Sequence, residues 1–232
     1  MRAFSNVDCL HLWESGAGLH PLDQGLLALS AALPETPGES LLDWPLGRRN
    51  AALAQLRCSS FGPKLQGWTA CGKCGEKLEV EMDARWLTGQ ESSMEPVIVN
   101  GQSFRLVTSR DLAQAAREAD VPRAAMCLAQ SCCLDSGAAH GWSEEELEQI
   151  GQQLALADPL AETRLALRCP DCQYEWQETF DVAAFLWREI ETRARKLLVE
   201  IHTLAAAYGW AEADILAMSG RRRAAYLEMA QS

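Results

Sequence analysis

Apolar residues recur at intervals of three and four over much of the chain, the spacing that places them on one face of an α-helix. In the N-terminal part this pattern predicts helices over 9–31 and 47–60. The first is interrupted near Gly16, and the second ends at a Phe-Gly-Pro terminator at 61–63. We therefore expect an N-terminal helical region over 1–64.

The longest helical pattern follows Asp181, a residue type that caps helix N-termini. Its apolar seam alternates steps of four and three over about 40 Å of helix. The seam consists of Ala183, Trp187, Ile190, Ala194, Leu197, Ile201, Leu204 and Tyr208. Gly209-Trp210 ends it, and short helical segments follow. In this C-terminal tail, 181–232, the seam suits packing on the chain's own body and docking on a partner equally.

Alternation of apolar and polar residues, the period of a β-strand, follows two cysteine pairs, Cys71-Gly-Lys-Cys74 and Cys169-Pro-Asp-Cys172. A strand over 163–167 also precedes the second pair. A shift of 98 positions, from 71 to 169, superposes the two pairs and aligns Asp83 with Asp181. The pattern predicts one hairpin-and-knuckle element used twice, which forms a split ribbon over 65–180.

The two cysteine pairs are separated by residues 75–168, far more than the about 15–20 residues between the halves of an ordinary zinc ribbon. We expect this insertion, over 90–160, to have structure of its own. Asn100-Gly101 lies between apolar runs at 96–99 and 104–107. It predicts a β-hairpin, because both central positions of the favoured turn need positive φ.

Three helix-start signals follow that hairpin. They are Thr108 as an N-cap, Pro122 in a first turn and a Ser143/Glu146 capping box. The helices predicted from them cover 109–119, 121–134 and a segment from 144 onward. The fold class we expect is α+β and mostly α-helical. In it, a zinc-ribbon-like element with four cysteines carries a helical insertion and precedes a long helix and short helices.

Composition and charge limit the classes of function. The chain has 232 residues, of which 48% are hydrophobic, enough to bury a sizeable core. Its formal net charge of −11 disfavours the phosphate attraction that dominates nucleic-acid binding. It has neither a run of about 18 apolar residues nor the features of a secretory signal. We expect a cytoplasmic protein without a nucleic-acid or membrane partner.

The cysteines indicate a metal rather than disulfides. Their number is nine, an odd count in a chain with no export signal, which favours reduced thiols. The two CxxC pairs supply the four thiolates of a tetrahedral zinc site: Cys71, Cys74, Cys169 and Cys172. Four sulfur ligands leave no open coordination position, so we expect a structural Zn.

The other five cysteines are expected to pack as small hydrophobic residues. They are Cys9, Cys58, Cys127, Cys132 and Cys133. A less favoured alternative is a second metal site formed by Cys127, Cys132 and Cys133 with His140. Its spacings of four and six residues would have to converge at a helix end.

No sequence motif predicts catalysis. The chain has no G-x-S-x-G elbow, P-loop or dinucleotide fingerprint, and its four histidines are scattered. We therefore expect neither enzyme activity nor a small-molecule substrate. The strands beside the cysteine pairs carry many glutamates, which repel phosphate. Their aromatic residues are assigned instead to a small core beside the metal: Trp68, Trp176 and Phe180.

Four segments in the second half of the chain point to a known family. They are Leu167-Arg-Cys-Pro-Asp-Cys172, the run from Phe180 to Glu189, the run from Ala206 to Leu216 around Tyr-Gly-Trp, and Arg221-Arg-Arg-Ala-Ala-Tyr-Leu227. In these segments the chain resembles the T-even-type phage baseplate protein family of contractile phages, prophage remnants and related injection particles. The similarity is greatest over 165–230. A looser match extends it through 45–50, 61–62 and the first cysteine pair.

The resemblance implies a non-enzymatic part in building the baseplate, the platform that joins tail tube, sheath and spike. The expected function is a structural baseplate or hub component of a contractile phage tail or injection system. It would be made in the bacterial cytoplasm and kept in the particle. Alternatives are an assembly chaperone that shields a hub protein and then leaves, and a zinc-ribbon nucleic-acid adaptor.

The expected partners are other baseplate, hub and spike proteins, bound through the C-terminal helices. The residues expected to contact them are Trp187, Ile190, Leu197, Ile201, Leu204, Tyr208, Trp210, Arg221, Arg222 and Arg223. The three arginines fit either a solvated surface or contact with an acidic partner.

Overall fold

The computed structural model describes residues 1–88, 95–135 and 141–231. Helices form most of them, and the strands form three two-stranded sheets, so the expected mostly α-helical α+β fold is confirmed. The helices are α1 (Asn6–Ser15), α2 (Pro21–Ala32), α3 (Gly38–Leu42), α4 (Leu46–Phe61), α5 (Ser109–Ala115), α6 (Val121–Cys132), α7 (Glu144–Ala157), α8 (Val182–Tyr208), α9 (Glu212–Ala217) and α10 (Gly220–Gln231). The strands are β1 (Lys64–Ala70), β2 (Lys77–Asp83), β3 (Val97–Val99), β4 (Gln102–Phe104), β5 (Thr163–Arg168) and β6 (Glu175–Phe180). A short 3₁₀ helix covers Ala84–Leu87.

The N-terminal helices begin and end at recognisable signals. Ser5 and Asp8 form a capping box at the start of α1, and Pro21 lies in the first turn of α2. Between them the chain turns at Gly16, as the sequence predicts. Helix α4 ends at Gly62, whose φ of 93° strongly favours glycine.

The main core lies between α8 and the N-terminal helices α1, α2 and α4. Its fully buried side chains include Leu12, Leu29, Leu53, Leu56, Leu186 and Ile190. An ion pair adds to this contact, because the buried Arg57 of α4 donates two 2.7 Å hydrogen bonds to the Glu189 carboxylate of α8. Such a bidentate pair fixes the two helices in one relative position.

Helices α9 and α10 fold back on the second half of α8 and cover its seam. Leu197 and Leu204 are 0% exposed, Ile201 is 8% exposed, and all three pack with Ile215 of α9. Ile190 is buried in the main core. The chain itself therefore covers these four seam residues. This corrects their expected place on a partner-facing surface, because side chains that are at most 8% exposed offer almost no area to a partner.

The insertion forms a small core of its own. Its hairpin turns at Asn100 and Gly101, with φ values of 51° and 79°, as predicted. The second strand is β4, at 102–104, and not 104–107, because the two-residue turn pairs Val99 with Gln102. Phe104 is buried against residues of α6 and α7, namely Ala129, Cys132 and Ile150.

The capping signals of the insertion helices are confirmed. Thr108 with Asp111 forms a capping box at α5, and Ser143 with Glu146 forms one at α7. Asp120 caps α6. Helices α5 and α6 end earlier than predicted, at 115 and 132. For α6 the reason is that the next residue, Cys133, leaves the helix and pairs with Phe104 of the hairpin.

Candidate metal centre

Two β-hairpins carry the cysteine pairs at their tips. In the first, β1 and β2 pair antiparallel from Lys64–Asp83 to Ala70–Lys77. In the second, β5 and β6 pair from Thr163–Phe180 to Arg168–Glu175. Moving the first register by 98 positions gives the second at each position that both hairpins contain, for example 65–82 and 163–180. The predicted repetition of one hairpin element is therefore confirmed at the level of strand register.

The knuckles at the two tips also share their backbone hydrogen bonds. Cys71 N–H donates to Glu76 O at 2.8 Å, and Gly75 N–H donates to Cys71 O at 2.9 Å. In the second knuckle, Cys169 N–H donates to Tyr174 O at 2.9 Å, and Gln173 N–H donates to Cys169 O at 3.1 Å. These bonds curl each loop so that both of its thiols point in one direction.

The two knuckles make the same backbone turn with different residues. Gly75 has a φ of 77°, and Gln173 at the equivalent position has a φ of 59°. This left-handed conformation costs a glutamine about 1 kcal/mol more than a glycine. A hydrogen bond from Gln173 Nε2 to Pro170 O, 2.8 Å long, helps to hold the second turn.

The two tips bring the four predicted ligands together. Cys71 Sγ lies 3.6 Å from Cys172 Sγ, and Cys74 Sγ lies 3.6 Å from Cys169 Sγ. All four sulfur atoms are within 4.8 Å of one another. A tetrahedron with metal–sulfur bonds of about 2.3 Å has sulfur–sulfur edges of about 3.8 Å. The four thiols are therefore close enough to hold one metal ion.

The protonation of the thiols depends on their mutual contact. Burial raises the pKa of Cys71, but backbone hydrogen bonds from Cys74 and Lys73 and the neighbouring thiols lower it to about 7. A backbone hydrogen bond from Glu76 lowers the pKa of Cys74, but burial and the other three thiols outweigh it and raise that pKa to about 12. Metal binding must therefore displace protons from this cluster.

The chemistry of the site follows from its closed ligand set. Four thiolates complete a tetrahedron, so no position remains at which water or a substrate could bind the metal. Cys71 and Cys169 are buried, and Lys73 N–H donates to Cys71 Sγ at 3.4 Å. The arrangement thus suits a structural metal ion that would join the first hairpin tip, at residue 71, to the second, at residue 172.

The remaining cysteines lie elsewhere. Among the residues that the structure describes, the four knuckle thiols are the one group of three or more ligands that could hold a metal. Cys127, Cys132 and Cys133 form no such group, and His140, their suggested fourth ligand, lies outside the described residues. Burial raises the pKa of Cys9 to about 11 and that of Cys132 to about 12, as expected of thiols packed in a core.

The aromatic residues of the ribbon occupy three different environments. The prediction that Trp68 belongs to a core beside the metal is wrong, because its side chain is 72% exposed. It stands on the outer side of β1, where the alternation of buried residues places Leu65 inward and residue 68 outward. Trp176 is half-buried beside Tyr174, with ring centroids 5.9 Å apart. Phe180 packs against the main core.

The remaining candidate partner residues divide into buried and exposed ones. Trp187 is half-buried against the main core. Tyr208 is exposed and stacks on the half-buried Trp210, with ring centroids 4.5 Å apart. Arg221 and Arg222 are exposed, but Arg223 is buried and bonded to Glu200. The sequence does not distinguish these three arginines, so the burial of Arg223 is a correction.

A groove beside β1 is a feature that the sequence patterns do not predict. It lies between that strand and α8, with a volume of about 550 Å³. Its one visible signal is the sequence Gln66-Gly-Trp68, which places a small and a large residue side by side in a strand.

Comparison with known proteins gives no relative: no family model, curated protein or solved structure matches this chain. None of the described helices is both long and apolar enough to cross a membrane. A proposal of function must therefore start from the residues of the chain itself.

Proposed function

We propose that this chain is a structural baseplate or hub component of a contractile phage tail or phage-like injection particle. The observation that carries the proposal is the likeness of 167–172, 180–189, 206–216 and 221–227 to the T-even-type baseplate family. Its architecture supports this role. A long helix packed on five others suits a part that keeps its shape within an assembly, and so do hairpin tips that are placed to share a metal ion.

In this proposal the four-sulfur centre holds zinc. Zinc favours tetrahedral thiolate sites and is not redox-active, which suits a purely structural ion. The ion would be bound by Cys71, Cys74, Cys169 and Cys172, and it would keep the two hairpins together across the long insertion. Its binding free energy then contributes directly to folding.

The partner-facing surface in this proposal is the part of the C-terminal helices that the chain leaves exposed. Val199 is 66% exposed on α8, and Tyr208 is exposed at the end of that helix. Arg222 lies over the Tyr226 ring at 5.7 Å. Aromatic and arginine side chains on a rigid support are the residues that most often anchor protein interfaces. Baseplate, hub and spike subunits are the proposed partners.

The decisive experiment is subunit identification in purified particles. Particles are isolated from the bacterium that encodes the chain, and their proteins are quantified by mass spectrometry against the tube and sheath proteins. A constant ratio to the other baseplate subunits supports a structural component. A strain that lacks the gene should then assemble no complete baseplates in electron micrographs.

The same experiment separates the alternatives. If the protein is absent from complete particles while its deletion still blocks assembly, the chaperone role replaces the structural one. If deletion leaves particles and their infectivity unchanged, both roles are excluded. Retention on DNA or RNA that weakens as salt rises would favour the nucleic-acid adaptor instead.

A further inference from the structure

The groove between β1 and α8 has no role in the proposed function and is open to solvent. One wall is made by Gln66, Gly67 and Trp68 of β1, and the opposite wall includes Phe185, Arg188 and Lys196 of α8. Phe61 of α4 also lines the groove. We call this the β1 groove.

The strand side of the groove exposes backbone. Gln66 and Trp68 point to one face of β1, and Gly67 between them has no side chain, so its backbone forms part of the groove lining. Strand β1 pairs with β2, and in the described parts of the chain no strand pairs with its other edge. The N–H and C=O groups on that edge are available to an added strand. At Gly67 the space where a Cβ would stand is empty, so another backbone can approach closely.

The helix side of the groove is cationic in a chain whose formal net charge is −11. Arg188, Arg193 and Lys196 line it, and none of the three forms a salt bridge within 1–88, 95–135 or 141–231. Arg193 is bonded to the neutral Asn6 side chain. The one carboxylate in the lining, Glu189, is neutralised by its two hydrogen bonds with Arg57. The local positive charge of this groove therefore attracts an acidic ligand.

Aromatic rings provide apolar contact area in the same groove. Trp68 is 72% exposed, and Phe185 and Phe61 are half-buried. The groove therefore offers three features that a peptide ligand uses. The exposed tryptophan provides an apolar anchor, the cations without a salt-bridge partner provide charge, and the free strand edge provides backbone pairing.

We propose that the β1 groove binds an extended acidic segment of a partner protein, which adds to the free edge of β1 as a third strand. Acidic side chains of the segment meet Arg188 and Lys196, and an apolar side chain packs on Trp68. A nucleic acid is disfavoured, because its phosphate backbone lacks the alternating N–H and C=O groups that could pair with the edge of β1. This inference does not depend on the baseplate assignment, since the purified chain alone can be tested.

The probes are two synthetic nine-residue peptides and one oligonucleotide, each with a fluorescent label. The first peptide alternates Asp or Glu with Val and Phe, and the second has Lys in place of each acidic residue. The oligonucleotide is single-stranded and has the same negative charge as the acidic peptide. Binding to the metal-loaded protein is measured by fluorescence anisotropy. We expect the acidic peptide to bind with a Kd on the order of 10–100 μM and the basic peptide at least about tenfold more weakly.

Variants locate the site. The double substitution Arg188→Glu with Lys196→Glu should weaken binding of the acidic peptide by about tenfold or more. Trp68→Ala should also weaken its binding. These positions are exposed, so the substitutions should leave the fold intact. The matched control is Arg221→Glu with Arg222→Glu, which makes the same change of charge on exposed α10 residues and should leave binding unchanged. Equal weakening by both double variants would show general electrostatic attraction and overturn the proposal.

Backbone pairing is tested by methylating alternate amide nitrogens of the acidic peptide on one edge. This leaves charge and side chains unchanged but removes the hydrogen-bond donors that would pair with β1. We expect one methylation pattern to reduce the affinity of the peptide at least tenfold and the other pattern to reduce it less. Equal affinity of the methylated and unmethylated peptides overturns strand addition. The proposal is also overturned if the oligonucleotide binds more tightly than the acidic peptide, or if the acidic peptide does not bind at about 1 mM.

Discussion

Arg223 Nε donates a 2.7 Å hydrogen bond to Glu200 Oε2 inside the C-terminal helices, which joins α10 to α8. The two side chains are 2% and 12% exposed. Arg223 Nη1 also donates to Met218 O at 3.3 Å, at the end of α9. One arginine of the 221–223 cluster therefore connects the three terminal helices, while its two neighbours face solvent.

Loss of this arginine should destabilise the protein. Arg223→Ala leaves Glu200 as a largely buried carboxylate without its partner, which should lower the free energy of unfolding by about 3 kcal/mol. The measurement is urea denaturation followed by circular dichroism. Arg222→Ala, at an exposed neighbour, should change the stability by less than about 0.5 kcal/mol. If Arg223→Met with Glu200→Met is as unstable as Arg223→Ala, the unpaired charge is not the cause of the loss.

The metal centre predicts one zinc ion per chain. Elemental analysis of freshly purified, reduced protein should find it, and Cys169→Ser should lose it along with several kcal/mol of stability, on the order of 10 °C in Tm. Cys127→Ser removes a thiol outside the cluster and should leave the metal content unchanged. Full zinc occupancy with unchanged melting in Cys169→Ser would contradict the assignment of this ligand.

Gly16 should not tolerate a side chain. A Cβ at this position would lie 2.6 Å from Cζ2 of Trp187, whose indole packs against the main core. Gly16→Ala should therefore cost about 1–3 kcal/mol of stability. Gly151→Ala is the matched control, because residue 151 is in α7 with open space around it. That variant should gain up to about 1 kcal/mol from better helix propensity. Equal stability of the two variants would show that the indole moves aside freely.

Asp111 predicts a specific acid sensitivity. Burial raises its pKa, but hydrogen bonds from Arg105 and Thr108 outweigh burial and leave the pKa below its ordinary value. A carboxyl group with a lowered pKa in the folded state stabilises the protein above its unfolded pKa of about 3.9. This contribution is lost as the pH falls from there through the lowered pKa.

Asp111→Asn should therefore be less stable than the unchanged protein by about 2 kcal/mol near pH 7. The difference should shrink as the pH falls below about 4, because the carboxyl is protonated first in the unfolded state and, below its lowered pKa, in the folded state as well. Comparing the two proteins at each pH cancels the effect of acid on the thiolates. A difference that is constant with pH would exclude Asp111 as the titrating group.

The two sides of α8 predict opposite phenotypes. Leu197→Asp places a charge in a fully buried position and should unfold the C-terminal helices. Val199→Asp changes a side chain that is 66% exposed, so the isolated protein should keep its circular dichroism spectrum and Tm. In the proposed function, Val199→Asp should instead reduce incorporation into particles. Normal particles with this variant would remove Val199 from the partner-facing surface.

Local structure in this chain could be predicted from the order of its residues. The Ser143/Glu146 capping box, the Asn100-Gly101 turn and the Asp181 cap all form where their residues stand, because each depends on bonds within a few positions of the chain. The spacing of the cysteine pairs likewise predicted which four thiols lie together, since thiols at CxxC spacing point together from one knuckle.

Which surfaces are covered could be learned only from the packing of distant elements. An apolar seam predicts that one side of a helix is buried but does not specify what buries it, and here α9, α10 and the N-terminal helices bury Ile190, Leu197 and Leu204. For the same reason Arg223 is buried and Trp68 is exposed, against the expectation for each. Burial of a side chain depends on elements far away in the chain, and a pattern along the sequence contains only its near neighbours.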